Sequence, residues 1–269
     1  MAGAKADSRD DDLARDRALL IETVREAGEL ARAMFRTRLR TWTKGISSPV
    51  SEADIAVNDL IENKLRAATP DYGWLSEESA DDPSRLDRQR VWIVDPIDGT
   101  RGYIAGRDDW CVSVALVERA SPLLAAVFAP AIDEFFLAAR GQGTTRNGVP
   151  VQATPGDDLD FSKIAGPKPL VDKLDRSDAA PHPRIASLAL RLCRVADGRI
   201  DAAFAGGDSC DWDIAAADLI VQEANGRLTS IGGEPILYNR AQVTHDVLLA
   251  AGRLRHARIL AHFHGPPVP

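Results

Sequence analysis

Cysteine, methionine and histidine are all scarce in this chain: three Cys, two Met and five His among 269 residues. The cysteines, Cys111, Cys193 and Cys210, lie far apart and form no C-x-x-C pair. That argues against a disulfide framework and a zinc knuckle, and suits a reducing compartment. An excess of positive charge is also missing. The formal charge of −7 argues against a general nucleic-acid binder, although a few local cations or a metal ion can reverse the field inside a cleft and admit an anionic substrate. No apolar run approaches a membrane span, and the polar, acidic start from Met1 to Asp12 holds no signal-peptide core. A soluble cytoplasmic protein is expected, with neither membrane nor nucleic acid among its partners. Internal repeats and low-complexity segments are absent as well. What is present, 45% apolar and 27% charged residues, is the balance of a globular protein long enough to bury a substantial core.

Residues 1–11 are expected to form a disordered leader. An α+β half over 12–153, carrying most of the candidate metal ligands, and an α/β half over 154–269 then form one compact unit. Leu13, Leu20, Ile21, Val24, Ala27, Leu30, Ala31 and Met34 recur at helical spacing and predict a long amphipathic first helix. Thr41 to Ser48 breaks that pattern and reads as a mobile loop carrying Lys44, which on such a loop is more often merely solvated. Ser51 is a good N-cap for a second helix ending before Pro70, with Asp54 in its first turn. Gly73 to Ser76 reads as a short strand and Ala80 to Arg90 as a surface loop. Cys111 to Val117, Leu123 to Phe128 and Glu134 to Ala138, joined by short turns, predict an antiparallel meander. The Asn147-Gly148 turn closes this half. Thr154 to Arg184 looks like a subdomain junction. Helices over Ser187 to Ala196, Trp212 to Ala224 and Arg253 to His262 then alternate with strands at Asp201 to Ala205 and Val247 to Ala251. The whole is a mixed, layered α and β protein.

Three acidic segments stand at element ends. The apolar run Val91 to Val94 reads as a buried strand that stops at Asp95-Pro96, with Asp98, Gly99 and Thr100 on the loop that leaves it. An isolated buried carboxylate is very costly, so these acids must be paired, solvated or metal-bound. Glu77 and Glu78 follow the strand at Gly73 to Ser76 directly. In Cys210-Asp211-Trp212-Asp213, either Asp211 or Asp213 is expected to cap the next helix. Each segment has an ordinary explanation, as an Asp-rich turn or a plain N-cap. Together, Glu77, Asp95, Asp98 and Asp213 make a set of hard oxygen ligands of the kind magnesium prefers. Two such ions about 3.5–4 Å apart clamp both oxygens of an in-line phosphoryl displacement. Asp95 is well placed to bridge them, because its loop also carries Asp98 and the free carbonyl of Ile97.

Asp95-Pro-Ile-Asp-Gly-Thr100, Glu77-Glu78-Ser79, Trp212-Asp213-Ile-Ala-Ala216 and Pro49-Val50-Ser51-Glu52-Ala53-Asp54 resemble, in order, signature segments of the inositol monophosphatase superfamily. The resemblance implies an α-β-α-β-α sandwich, often a homodimer. It also implies a lithium-sensitive phosphomonoesterase working with two or three magnesium ions. Carried over by position, Glu77, Asp95 and the Ile97 carbonyl would hold one ion, and Asp95, Asp98 and Asp213 another. Thr100, hydrogen-bonded to Asp54, would help take a proton from the water that attacks phosphorus, without a phosphoenzyme. The Gly99 and Thr100 N–H groups would hold phosphate oxygens, and Lys44 matches the family's mobile loop loosely.

Inositol-specific members usually carry a Glu some seven residues before the Asp of the Trp-Asp pair. Here Gly206, Gly207 and Asp208 stand in that region, with Asp208 a possible substitute. Ser48-Pro49-Val50 and Gly102-Tyr103-Ile104 look more like bacterial 3′(2′),5′-bisphosphate nucleotidases, which release AMP from adenosine 3′,5′-bisphosphate. Inositol 1-phosphate hydrolysis is the alternative, followed by a sugar bisphosphatase or a non-catalytic regulatory relative. Haloacid-dehalogenase chemistry needs two aspartates two residues apart; here position 96 is proline and the pair Asp95 and Asp98 is spaced by three.

Overall fold

The computed structural model describes residues 3–45, 48–174 and 182–265, with side chains from residue 11 onward. Helix α1 spans Gly3–Met34 and thus starts inside the segment expected as a leader, which has no Pro and no further Gly before residue 28 to stop a helix. Strands β1 (Thr41–Lys44) and β2 (Ser48–Ser51) pair antiparallel, so the expected mobile loop is largely a strand pair; residues 46 and 47 lie outside the described residues. Alternating Thr, Trp, Thr and Lys suits an extended pair, and helical periodicity had no hold on so short a segment. Helix α2 (Glu52–Ala68) follows Ser51 and stops before Pro70 as its capping signals require.

Strand β3 (Gly73–Ser76) leads into the acidic segment, and β4 (Arg90–Asp98) into a five-residue helix α3 (Thr100–Ile104). The meander continues as β5 (Cys111–Glu118), β6 (Ser121–Ala129), β7 (Glu134–Ala139), β8 (Thr144–Arg146) and β9 (Val149–Pro150). Asn147 and Gly148 take positive φ in the last turn, as a tight hairpin demands. These strands form one sheet in the order β3-β4-β5-β6-β7-β8-β9, parallel only between β3 and β4. The residues 80–90 are not a plain surface loop. They contain a short 3₁₀ turn at Pro83–Asp87, and Arg85 is buried. Its guanidinium forks onto Asp81 (2.6 and 2.9 Å) and reaches Asn239 Oδ1 (2.7 Å), because a buried cation must be paired on every side.

The stretch expected as a junction supplies β10 (Ile164–Ala165) and α4 (Lys168–Leu174); residues 175–181 lie outside the described residues. Then come α5 (Leu188–Ala196), β11 (Ala202–Ala205), β12 (Ser209–Cys210), α6 (Asp211–Glu223), β13 (Gly226–Ser230), β14 (Thr244–His245), β15 (Leu248–Gly252) and α7 (Arg253–His264). A second sheet runs β10-β11-β15-β13.

Period-two alternation sorts the side chains into layers. Trp92 and Val94 face α1 and α2, whose Leu20, Val24, Val57 and Ile61 are fully buried against them. Val91 and Ile93 face the opposite way, onto α5 and α6 and one face of the second sheet. Ala202, Phe204, Leu249 and Ala251 cover that sheet's other face and pack on α4 and α7. The result is the expected α-β-α-β-α sandwich. Among the described residues, no helix is long and apolar enough to cross a membrane.

Candidate active site

The first sheet, α2, α5 and α6 converge on the end of β4. That strand does not stop at Asp95; it continues to Asp98 through a bulge, Asp95 pairing with Ser113 and Asp98 with Cys111. One more residue separates the two aspartates than separates their partners. Pro96 has no N–H to give the ladder, so a bulge is where it fits. The bulge turns both aspartates toward one cavity of about 750 Å³. Asp95 Oδ1 accepts the Ile97 N–H at 3.1 Å.

Gly99 then takes φ +95°, and a Cβ there would stand 3.1 Å from the Ser187 nitrogen, so only glycine fits both the turn and the contact. Thr100 Oγ1 lies 2.9 Å from the Ile97 carbonyl and 3.0 Å from Asp54 Oδ1, and its single proton serves one of them at a time. The other Asp54 oxygen accepts the Ser51 N–H (2.8 Å) and hydroxyl (2.6 Å). Burial raises the Asp54 carboxyl above its ordinary range, opposed by these hydrogen bonds.

Asp98 is held from the far half of the chain. Its Oδ2 accepts the Ser187 hydroxyl at 2.5 Å and the Ala189 N–H at 2.6 Å, and Oδ1 the Leu188 N–H at 3.2 Å. Ser187 also caps α5 through the Leu190 N–H. The cap of α6 is Cys210, not Asp211 or Asp213. Asp213 sits three residues in and accepts the Cys210 N–H at 2.6 Å, while Asp211 is buried against His245 (2.7 Å) and the Asn239 N–H (2.8 Å). The expected cap fails because the helix begins one residue earlier: Asp211 is already its first residue, with both oxygens taken by Asn239 and His245, and Asp213 reaches back to Cys210 from the first turn.

Asp95, Asp98 and Asp213 each offer an oxygen within 4.8 Å of the others. Glu77 lines the same cavity. Burial, then the negative charges of Asp213 and Glu78, push its carboxyl up to about 8. Burial and the Asp98 charge push Asp213 up to about 7, and burial followed by Glu77 and Asp98 raises Asp95 as well. A group of buried like charges that resists ionisation calls for a cation. All-carboxylate donors with a carbonyl at Ile97, and no sulfur or imidazole in the cluster, fit a hard ion such as Mg²⁺.

Lys44 crosses from the hairpin, donating to the Glu77 carbonyl and lying 3.5 Å from Glu78 Oε2. Asp208, at φ +74°, lines the cavity rim. Reading the sequence brought together Lys44, Asp54, Glu77, Asp95, Ile97, Asp98, Gly99, Thr100, Asp208 and Asp213, and all but Asp54 line this cavity; Asp54 reaches it through Thr100. Arg101 and Arg184 also line it, and the buried Ser187 holds Asp98 without lining it, roles that the sequence pattern does not announce. Ser187 carries an N-cap signal ahead of an apolar run, but its partner Asp98 is 89 residues away.

A model of the inositol monophosphatase family matches residues 12–265. The chain belongs to that family. Among curated relatives of this family member, the Nus factor SuhB of Xylella fastidiosa is 32% identical, covering 90% of this chain and 91% of that protein. The histidinol-phosphatase of Mycobacterium tuberculosis is 34% identical over 81% of this chain and 88% of its own length. The 3′(2′),5′-bisphosphate nucleotidase CysQ of Aggregatibacter actinomycetemcomitans is 27% identical over 83% and 87%. In fold, the chain is similar to an IMPase/NADP phosphatase solved with Mg²⁺ and phosphate, with a TM-score of 0.83 at 22% identity, over 95% of this chain and 97% of that one. As a member of this metal-dependent family, the protein is a phosphomonoesterase.

Proposed function

We propose that the protein hydrolyses a phosphate monoester whose remaining fragment carries a second phosphate, with adenosine 3′,5′-bisphosphate going to AMP as the best-fitting case. The observation that carries this reading is the charge layout of the cavity. Its floor is carboxylate, and Lys44, Arg101 and Arg184 stand among the other lining residues, beside Asp81 and Asp208. One phosphate belongs over the acidic floor with its cations; the arginines suit a second. A Cβ at Gly206 would come no nearer than 3.8 Å to Pro167, and at Gly207 it would meet nothing within 4 Å, so the chain just before the cavity-lining Asp208 is uncrowded where a base could lie.

Asp95, Asp98, Asp213, Glu77 and the Ile97 carbonyl would hold Mg²⁺, two or three ions as the family resemblance implies. When bound, Mg²⁺ supplies positive charge that neutralises these carboxylates and withdraws electron density from the phosphoryl group. Thr100 and Asp54 form the proton path. The water oxygen bonds to phosphorus as the ester P–O bond breaks, and one water proton passes through the Thr100 hydroxyl to Asp54. The departing alkoxide takes a proton from solvent. The Gly99 and Thr100 N–H groups, on the cavity wall, receive phosphate oxygens. Lithium, competing for the same carboxylates, is expected to inhibit.

The reading is tested by kcat/KM for adenosine 3′,5′-bisphosphate and inositol 1-phosphate in parallel, with Arg184→Ala alongside. A preference for the nucleotide of about 10-fold or more, cut selectively by Arg184→Ala, supports it. Inositol 1-phosphate is the second reading, favoured by Asp208 on the rim. In that case inositol 1-phosphate wins and Asp208→Ala abolishes the preference.

A further inference from the structure

We infer that the Arg107–Asp109 ion pair is a positioning device for Asp98. It pins the chain just before α5, and α5 in turn fixes the carboxylate that faces the cavity. This rests on the reading of Asp98 as a magnesium ligand.

Among the described residues, every nitrogen and oxygen donor to the Asp98 carboxylate belongs to residues 187–189; the Cys111 thiol of β5 adds only a long contact to Oδ2 at 3.9 Å. Those residues come from the second half of the chain, so their position is not set by β4. The segment just before them is tied to the turn ahead of β5. Asp109 Oδ2 accepts the Ala186 N–H at 2.6 Å, and the Asp109 carbonyl accepts the Ser187 N–H at 3.1 Å. Arg107 forks onto the same carboxylate at 2.9 and 2.5 Å, and its Nη2 also donates to the Arg184 carbonyl at 2.9 Å. The ion pair therefore grips residues 184 and 186, and the Asp109 main chain holds residue 187 beside them.

The knot is tightly packed. A Cβ on Gly102 would stand 2.8 Å from the Ala186 Cβ and 3.3 Å from Asp109 Oδ1. A Cβ on Gly99 would stand 3.2 Å from the Asp109 carbonyl as well as close to Ser187. Residues 99–102, 107–109 and 184–189 thus meet with no slack between them. If the latch opens, the Ser187 hydroxyl and the Leu188 and Ala189 amides lose their fixed aim at Asp98. Its carboxylate is then free to turn from the geometry the cavity requires. Partners that orient a metal ligand in this way are generally worth as much to metal affinity as a moderate change in the ligand itself. Neither Arg107 nor Asp109 lines the catalytic cavity. Their influence on Asp98 passes through the start of α5, while the Arg184 and Ala186 they hold directly are themselves cavity-lining.

The test is calorimetric titration of the full-length, metal-free protein with Mg²⁺ alone, alongside amide hydrogen exchange at Leu188 and Ala189. Wild type, Asp109→Asn, Arg107→Gln and Asp98→Asn are compared, with Phe263→Ala as a destabilised control far from the site. Arg107→Gln, at a half-exposed position, keeps the test open should Asp109→Asn fail to fold. The expected result is a Mg²⁺ dissociation constant raised about 10-fold in the two latch variants. Their Leu188 and Ala189 amides should exchange faster, while Phe263→Ala lowers the melting temperature but changes neither readout. Latch variants that bind Mg²⁺ within about twofold of wild type, while Asp98→Asn binds weakly, would overturn the latch alone. If Asp98→Asn also binds normally, the ligand reading beneath it falls too.

Discussion

At the scale of single residues, the chemistry depends on which carboxylates are already satisfied. Asp54 accepts hydrogen bonds on both oxygens, from Ser51 and Thr100, and stays within the protein framework. Among the described residues, Asp95, Glu77 and Asp213 each keep an oxygen that no protein donor fills, in a setting that raises their proton affinity. This division separates proton handling from cation binding. Asp54→Asn and Thr100→Ala are each expected to lower kcat by about 10²- to 10⁴-fold, the range for losing a general base. KM and Mg²⁺ affinity should stay near wild type, which single-turnover kinetics and calorimetry would check. A loss confined to KM would place Asp54 in substrate binding instead. Much of this was readable from residue types alone, because acids that directly follow apolar runs demand an explanation wherever they occur. The identity of the cap on α6 was not. Cys210, Asp211 and Asp213 are all compatible with that helix start, and only the distant Asn239 and His245 decide which way Asp211 turns.

Elements place these residues, and the β4 bulge with the start of α5 matters most. The sequence showed a strand ending at Asp95-Pro96, because proline interrupts an apolar run. The bulge instead absorbs Pro96 and keeps the strand paired up to Asp98. Bulges leave little trace in a single strand's pattern, since they depend on the register of the neighbour. The β1–β2 hairpin is illegible in the sequence for a related reason: its cross-strand pairs, such as Trp42 with Val50, are invisible until the chain doubles back. The helices were plain, because α1, α2 and α5 each bury one face at a period of 3.6 residues. Gly99 is where the element geometry can be tested directly. Gly99→Ala imposes a side chain at φ +95° and 3.1 Å from the Ser187 nitrogen. It is expected to cost about 1–3 kcal/mol in urea denaturation. The larger effect should be on activity, since Ser187 and Thr100 flank the displaced backbone. An alanine tolerated without loss of stability would mean that this turn is looser than its contacts imply.

For the whole molecule, stability and metal are linked through pH. Glu77 and Asp213 hold protons more tightly in the folded protein than their ordinary values of 4.5 and 3.8 allow. Between those values and about 8 and about 7, the folded state binds more protons than the unfolded one. Their contribution is therefore present at low pH and is lost as pH rises through that window. His256 works in the opposite sense. Burial, then the nearby Arg227, lower it to about 4, so it opposes folding as pH falls from its ordinary 6.5 toward that value. In His256→Gln the metal-free protein should lose stability steadily from about pH 5 to about pH 8, without the acid-side dip. Saturating Mg²⁺ should raise the melting temperature most at the alkaline end, where the carboxylates are ionised and need it. Scanning calorimetry with and without Mg²⁺ would check both trends, and a Mg²⁺ gain larger at low pH would contradict them.

The measurement that bears most directly on the account is phosphate release from adenosine 3′,5′-bisphosphate by wild type and Asp95→Asn, each with Mg²⁺ and after its removal. Asp95 is the carboxylate shared by every ligand assignment made for the cavity. Wild type should turn over only with Mg²⁺, and Asp95→Asn should lose a factor on the order of 10² or more even when Mg²⁺ is abundant. Turnover that survives metal removal, or an Asp95→Asn variant as fast as wild type, would contradict a metal-dependent site built on this strand end.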